Sequence, residues 1–298
     1  MKAKSTVGWA FVIPSLLAGC CEMTISFPEA PGLGNPRATG QFLAGFAVID
    51  ITPPPGLPPL GFSAAARHRR FAGHATRLYA RAVVIIDPEG DRVGLVCADL
   101  GMPSALVHRM VTEQLAGDGW TLQQWTFAAT HTHSGPSGYL SNSWYNAFGS
   151  PELGNGYDPD LTRFLTDRIA LALRQAAASA EPAELRASRD TEPEWGRNRS
   201  EPAYRNNLDL QSDDPPVDPH LTVLRFDRPD GGLIGAVFFI AGHPAVVGPE
   251  NDLWHGDVFG IAIDRLERDS LGHAAPSPAR KPAFLMVNTS VGDSSFPW

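Results

Sequence analysis

The order in which strands and helices follow one another is the feature that most constrains the fold of this 298-residue chain. Apolar runs bounded by Gly, Pro and Asp turns predict strands, and they recur at 42–50, 77–87, 92–101, 125–130, 220–227, 233–242 and 283–290. The more polar segment 183–190 is also predicted to be a strand. Some of these strands follow one another directly, as in hairpins, whereas others are separated by a helix. This order predicts one α/β or α+β domain from about residue 42 onward, with a layered mixed sheet and flanking helices.

Segments with the period of an amphipathic helix are found at 104–117, 158–180 and 258–272. In the longest of them, Asp158 is placed to cap the first turn and Pro159 fits the first helical position. One face of that helix is apolar and carries Leu161, Leu165, Ile169 and Leu173. In the first of them, Gly117 is the predicted stop.

Several strands end in residues that can take part in chemistry. Asp99 ends one strand, His131 and His133 follow another, and His243 and Asn288 come at the ends of two more. Ligands of layered α/β folds lie beyond the carboxyl ends of the strands. The sequence therefore predicts that these strand ends meet in one site.

The two histidines of "THTHSGPSGY" have two interpretations. If the strand continues through them, His131 and His133 point to the same side and can contribute to a metal site; otherwise they belong to an ordinary turn. A further ligand has to come from a distant part of the sequence, and His243 is the best candidate. His255, with Asp257 close by, is a weaker one.

Two other polar segments carry candidate catalytic groups. In "GRNRSEPAYRNN", Arg199 is a candidate for polarising a carbonyl or holding a substrate hydroxyl. In "NTSVGDSSFPW", Ser295 is a candidate nucleophile or hydrogen-bond donor to an oxyanion. Both segments are also compatible with plain solvated loops. The chain has neither a GxSxG elbow nor an HExxH helix, so the usual esterase and zincin motifs are missing.

The N-terminus has the layout of a bacterial export signal. Lysines precede a short apolar run, and Leu-Ala-Gly-Cys follows, which resembles a lipobox. We expect residues 1–19 to be a lipoprotein signal peptide, Cys20 to be lipidated and residues 20–41 to form a tether, with an ordinary signal peptide as the alternative. The protein is then exported, and is either anchored in the cell envelope, in the outer membrane or at the periplasmic face, or secreted. The formal net charge of −8 argues against a nucleic-acid partner.

From about residue 45 to the C-terminus, the chain resembles the neutral/alkaline ceramidase family. The motifs that carry the resemblance occur in the family's order, and the most specific is the histidine segment. They read "FAVIDITPPPGLPPLGF", "RLYARAVVI", "ADLGM", "THTHSGPSGY", "NRSEPAY", "FFIAGHPAVV" and "NTSVGDSSFP". The resemblance implies a zinc-dependent amidohydrolase that cleaves the N-acyl bond of ceramide, giving sphingosine and a fatty acid.

The resemblance also implies a role for each candidate residue. His131 and His243 resemble zinc ligands, with the zinc site at the carboxyl ends of the strands. His133 resembles a residue that faces the substrate, Arg199 one that binds substrate or intermediate, and Ser295 the serine assigned as a nucleophile. The residues leave two routes open, attack by a metal-activated water or by Ser295, and they favour the first.

Two departures from the family pattern affect this interpretation. Phe296 stands where the family has a proline directly after the serine. The remaining family ligands, a Glu and a Tyr, lie beyond the last motif, so the catalytic domain at 42–298 is expected to be C-terminally incomplete. Asp99, His255 or Asp257 is then a candidate local ligand. Two alternatives to ceramide cleavage remain, a hydrolase of another amide or ester and an inactive lipid-binding lipoprotein.

Overall fold

The computed structural model describes residues 40–61, 70–142, 146, 156–191, 196–272, 281–292 and 294–296. The expected signal peptide, Cys20 and nearly all of the expected tether lie outside these residues, as do Asp293, Pro297 and Trp298. Within the described residues, no helix has both the length and the apolar composition that crossing a membrane requires.

The described elements confirm the predicted strands to within a few residues at each end. In chain order the strands are β1 (Leu43–Asp50), β2 (Gly73–His74), β3 (Tyr79–Ile86), β4 (Arg92–Ala98), β5 (Trp125–Ala129), β6 (Glu181–Pro182), β7 (Glu184–Thr191), β8 (Arg197–Asn198), β9 (His220–Asp227), β10 (Leu233–Ile240), β11 (Leu253–Trp254), β12 (Ala283–Asn288) and β13 (Ser294–Ser295). The α-helices are α1 (Ala105–Gln114), α2 (Pro159–Ala178), α3 (Glu201–Arg205) and α4 (Asp257–Gly272). β8 and α3 lie within "GRNRSEPAYRNN", which the sequence alone leaves compatible with a plain solvated loop.

The main strands form two mixed sheets. The first sheet has the order β5-β4-β3-β1-β6, and the second has the order β12-β10-β9-β7. Each contains one parallel pair, β4 with β5 and β10 with β12, and its other pairs are antiparallel. A parallel pair requires a crossover connection, and α1 and α4 lie in those two connections. The residues that follow these parallel strands include His131, His133 and His243.

The two sheets face each other across an apolar layer. Its buried members come from both sheets and are Ala44, Val83, Cys97, Phe226, Ile234, Val237, Leu285 and Val287. α2 packs on the outer side of the first sheet and α1 packs against α2, whereas α4 packs on the second sheet at β12. The chain thus forms helix, sheet, sheet and helix layers. This confirms the predicted layered mixed architecture, with the strands divided between two sheets because each sheet has an apolar face to bury.

The structure confirms the cap, the first turn and the buried face that the sequence predicts for α2. The Oδ1 atom of Asp158 accepts hydrogen bonds from the backbone N–H groups of Asp160 at 3.0 Å and Leu161 at 2.9 Å. Pro159 occupies the first turn, where its missing N–H costs no helical hydrogen bond. The predicted stripe is buried, and Leu165, Ile169 and Leu173 are fully inaccessible to solvent.

α1 ends earlier than predicted. Its last helical residue is Gln114, and the chain then tightens into a 3₁₀ turn at Ala116–Asp118. The residue in the left-handed conformation is Gly119, with φ 76°, and the predicted stop Gly117 lies inside the 3₁₀ turn. A left-handed backbone favours glycine, so Gly119 is the glycine that ends this segment.

Candidate metal centre

Three imidazole rings converge where the two sheets present their parallel strand ends. His131 and His133 follow β5 of the first sheet, and His243 follows β10 of the second. One ligand nitrogen from each ring lies within 4.8 Å of the others. Within the described part of the chain, this histidine cluster is the one group of three or more His, Cys, Asp and Glu side chains that could hold a metal ion. The predicted meeting of strand ends is therefore observed for the three histidines.

Of the two interpretations of the histidine pair, a continuing strand or a turn, the structure has the turn. β5 ends at Ala129, and His131 has a φ of 67°, in the left-handed region. Non-glycine residues rarely adopt that conformation, and where they do the strain is often found at functional sites. The His131 N–H still donates to the Leu100 carbonyl at 3.0 Å. The turn brings the rings of His131 and His133 to 5.2 Å between centroids at an interplanar angle of 79°, so the pair converges through a turn and not through strand periodicity.

Backbone carbonyls fix the tautomers of two of the rings. Nδ1 of His131 contacts the carbonyl oxygen of Gly101, and Nδ1 of His243 lies 3.1 Å from the carbonyl oxygen of Val291. A carbonyl can only accept, so both Nδ1 atoms carry the hydrogen and both Nε2 atoms carry a lone pair. In known metal sites, a ligating histidine donates its other ring N–H in this way. Nε2 of His243 lies 2.9 Å from Nε2 of His133, so in this arrangement His133 is the donor.

Burial favours the neutral form of His131 and His133. It lowers the pKa of His131, and the nearby Arg199 charge lowers it further. Burial, followed by the charges of His243, His131 and Arg199, lowers the pKa of His133 to about 3. Metals bind the neutral imidazole. At neutral pH, His131 and His133 are therefore in the form that binds a cation.

The proline-rich loop after β1 closes one side of the histidine segment. Pro59 forms an isolated β-bridge with Pro136, and the Leu60 N–H donates to the Gly135 carbonyl at 2.9 Å. Gly61 lies so close to His133 that a Cβ on the glycine would overlap the histidine Cβ. A glycine is required here because two backbones approach closely.

Arg199 lies close enough to the cluster for its charge to act on two of the rings. Its side chain is exposed, and its Nε and Nη2 atoms donate to the Gly292 carbonyl at 3.1 and 2.8 Å. Its charge contributes to lowering the pKa of both His131 and His133. The guanidinium therefore supplies positive potential to the site.

Ser295 reaches the site through its backbone pairing. It lies in β13, which pairs with β8, and it forms an isolated parallel bridge with His243. The His243 N–H also donates to the carbonyl of the neighbouring Ser294 at 2.5 Å. The described contacts bring Ser295 beside His243 and leave its role as nucleophile a prediction.

The three local candidates for extra ligands make other interactions. Asp99 is buried, its Oδ2 accepts the Tyr79 N–H at 2.9 Å, and burial raises its pKa to about 6. The fully buried Asp257 carboxylate accepts backbone N–H groups, among them that of Val258 at 2.7 Å. Nδ1 of His255 accepts the Asp257 N–H at 2.8 Å. None of the three belongs to the histidine cluster among the described residues.

Sequence reasoning missed the groups that orient the cluster. The Gly101 and Val291 carbonyls carry no sequence signal because every residue has one. The sequence points to the side chains of His255 and Asp257, yet the contact of this loop with the histidine segment is made by its backbone, since the Thr132 hydroxyl donates to the His255 carbonyl at 2.6 Å. The His255 N–H donates in turn to the Ser134 carbonyl at 3.2 Å, so this loop holds the histidine segment through its backbone.

Comparison with known proteins points to one family. The family model described as neutral/alkaline non-lysosomal ceramidase, N-terminal, matches residues 42–296. The neutral ceramidase of Mycobacterium tuberculosis is 33% identical over 237 residues, which cover 76% of this chain and 36% of that protein. The neutral ceramidase of Pseudomonas aeruginosa is 28% identical over 266 residues, covering 86% and 37%. The chain spans about a third of the length of these relatives.

Solved structures share the fold. The crystal structure of neutral ceramidase from Pseudomonas aeruginosa matches with a TM-score of 0.75 at 28% identity, over 86% of this chain and 39% of that one. A structure described as ceramidase complexed with C2 matches with a TM-score of 0.74 at 27% identity, over 86% and 38%. The mixed sheets with flanking helices are therefore an arrangement that this chain shares with those proteins.

Proposed function

This chain belongs to the neutral/alkaline non-lysosomal ceramidase family, and from that premise we propose that it is part of a zinc-dependent amidohydrolase. The reaction is hydrolysis of the N-acyl bond of ceramide, so that the OH of water ends on the acyl carbon and its hydrogen on the amine, giving a fatty acid and sphingosine. Relatives and a solved neighbour that carry the name ceramidase support the substrate.

The observation that carries the proposal is the convergence of three imidazoles from two sheets, with ligand nitrogens within 4.8 Å. We assign His131 and His243 as zinc ligands because their Nδ1 hydrogens are used by carbonyl groups, which leaves Nε2 of each ring as the ligand atom. On His243, a bound cation would replace the hydrogen that His133 donates to Nε2. Bound zinc supplies Lewis-acid polarisation of the amide carbonyl and lowers the pKa of water to about 7.

His133 is proposed to transfer a proton from the attacking nucleophile to the leaving amine. Its Nε2 lies 2.9 Å from that of His243, so its ring faces the same centre without being needed as a ligand in this assignment. A neutral imidazole can take a proton from the attacking nucleophile and deliver it to the leaving amine. Arg199 is proposed to stabilise the negative charge that develops on the carbonyl oxygen. Its positive charge acts within the site, because it lowers the pKa of His133.

Ser295 is the alternative nucleophile. Its bridge with His243 supports a position at the site, and attack by its hydroxyl would form an acyl-enzyme that water then hydrolyses. Attack by water is the favoured route because no ordered Ser–His–Asp set accompanies Ser295 in the described residues.

The test measures release of fatty acid from ceramide by the full chain. We expect a zinc chelator to abolish the reaction, added zinc to restore it, and a serine-directed inhibitor to leave it unchanged. The opposite pattern would establish the Ser295 route. Activity on other N-acyl substrates but not on ceramide would assign a different amidase, and ceramide binding without turnover at full zinc occupancy would support an inactive lipid-binding protein.

We also propose that the protein is exported and anchored through a lipid on Cys20, which places the site near a lipid substrate. The lipobox-like sequence supports this. Labelled palmitate should be incorporated into the parent and not into Cys20→Ala, and the variant should leave the membrane fraction. Equal incorporation in both proteins would contradict the anchor.

A further inference from the structure

The side chain of Asn288 connects the two sheets at the histidine cluster. Asn288 is the last residue of β12 in the second sheet. Its Nδ2 donates to the Thr130 carbonyl at 3.0 Å and to the Gly242 carbonyl at 2.8 Å, and its Oδ1 accepts the Gly242 N–H at 3.2 Å. Thr130 precedes His131 and Gly242 precedes His243.

We propose that Asn288 is a positioning residue that sets the separation between His131 and His243, the two proposed zinc ligands. Each ligand follows a different sheet, so no strand ladder fixes the distance between them. The Asn288 amide hydrogen-bonds to the residue directly before each ligand, and it does so with both Nδ2 hydrogens and Oδ1. This inference rests on the proposed zinc function for its purpose, but the contacts themselves are independent of it.

Only an amide satisfies this arrangement. The two acceptors are carbonyl oxygens and the third partner is an N–H group, so the side chain must donate twice and accept once. Aspartate has the same shape but places an oxygen where Nδ2 donates, which turns two hydrogen bonds into repulsive contacts. Asn288→Asp is therefore the sharpest variant, and Asn288→Ala removes the contacts without adding a charge.

Asn146 provides a matched control. It is buried, its Nδ2 donates to the Leu140 carbonyl at 2.6 Å, and its Oδ1 accepts the Leu140 N–H at 3.1 Å. It thus makes the same kinds of hydrogen bonds as Asn288 but bonds to neither residue that precedes a proposed ligand. Asn146→Ala measures what the loss of such an amide costs the fold alone.

The first experiment measures zinc affinity by competition with a chromophoric chelator, with thermal unfolding of the metal-free proteins alongside. Groups that orient metal ligands typically contribute about 10- to 100-fold to affinity, and we expect a loss in that range for Asn288→Asp and Asn288→Ala. Asn146→Ala should lower the unfolding temperature and keep the zinc affinity. Unchanged affinity in folded Asn288 variants, or an equal loss in Asn146→Ala, would overturn the proposal.

A second readout does not depend on zinc. In the metal-free parent, the Nδ1 hydrogens of His131 and His243 should give slowly exchanging NMR signals because both are bonded to carbonyls. The Asn288 variants should lose or shift both signals, and Asn146→Ala should keep them. If the parent binds no zinc but the signals change as expected, the zinc function fails and the positioning role stands; signals that persist in the Asn288 variants overturn it.

Discussion

Both sheets contribute residues to the histidine site, but they contain strands that differ greatly in burial. In the first sheet, β3 is mostly buried, and the apolar face of α2 covers β1 and β3. In the second sheet, all eight residues of the edge strand β7 are exposed. The first sheet leads to His131 and His133, and the second leads to His243 and Ser295.

The difference indicates how each side of the site is held. The turn after β5 extends from a strand in the largest apolar cluster, which includes Trp125, Phe127 and Ala129. His243 is held mainly by polar contacts, with its N–H on the Ser294 carbonyl, its ring on the Val291 carbonyl and Gly242 on Asn288. Hydrogen bonds thus hold both sides of the site, and the first side extends in addition from a strand of the largest apolar cluster.

The largest expected effect comes from removing one histidine on either side. His131→Ala and His243→Ala should each lower kcat/KM for ceramide by about 1000-fold or more, about 4 kcal/mol of transition-state stabilisation, because the proposed zinc site takes one ligand from each sheet. Zinc content and kcat/KM check this. His108→Ala is the control, since His108 packs on Trp125 outside the cluster and should keep its zinc. Full activity in either histidine variant would show that one sheet suffices.

The next largest effect is the loss of stability when a buried leucine of α2 is shortened. Leu173 in α2 is fully buried, whereas Leu185 in β7 is 43% exposed. We expect Leu173→Ala to lower the free energy of unfolding by about 2–5 kcal/mol, since it leaves a cavity, and Leu185→Ala to change it by about 0.5 kcal/mol or less. Urea denaturation of both variants checks this. Similar losses would mean that β7 packs against something in solution, and the contrast between the sheets would disappear.

A smaller effect should appear in the pH dependence of stability. Burial raises the pKa of Asp99, at the end of β4, to about 6 in the folded protein, against about 4 in an unfolded chain. The folded state therefore holds more protons between these values, so this group contributes stability at low pH that is lost as pH rises from about 4 to 6, on the order of 2–3 kcal/mol. Asn at this position cannot ionise. Between about pH 4 and 6, the free energy of unfolding should fall more steeply with pH for the parent than for Asp99→Asn. Equal slopes would contradict a raised pKa for Asp99 in the folded protein.

Features set by local physics could be read from the sequence. α2 follows from the cap Asp158, from Pro159 in the first turn and from a stripe of leucine and isoleucine side chains, which all predict the same helix. The strands follow from short apolar runs between turn residues. The meeting of His131 and His243 follows from the rule that strand ends carry the site, helped by the resemblance to a family.

Features set by contacts between distant parts of the chain could not be predicted from the sequence. The division into two sheets depends on which strands pair, and strand pairing is not a local property. The left-handed backbone of His131 was not expected, because nothing in "THTHS" distinguishes a turn from a continuing strand. Asn288 was recognised only as a strand-end residue, since its three hydrogen bonds reach back to positions 130 and 242.

The smallest effect tests which glycine ends α1, the crossover helix of the first sheet. Gly119 has a φ of 76°, and a Cβ there would lie 3.3 Å from Nη2 of Arg92, whereas a Cβ on Gly117 would meet nothing within 4 Å. A side chain in the left-handed region costs about 1–2 kcal/mol, so Gly119→Ala should destabilise the fold by about 1 kcal/mol. Gly117→Ala should be neutral or stabilise it by about 0.4–1 kcal/mol, because alanine narrows the unfolded ensemble. Thermal unfolding of the two variants checks this order of stabilities. A larger loss in Gly117→Ala than in Gly119→Ala would mean that Gly117 ends the helical segment, as the sequence alone predicts.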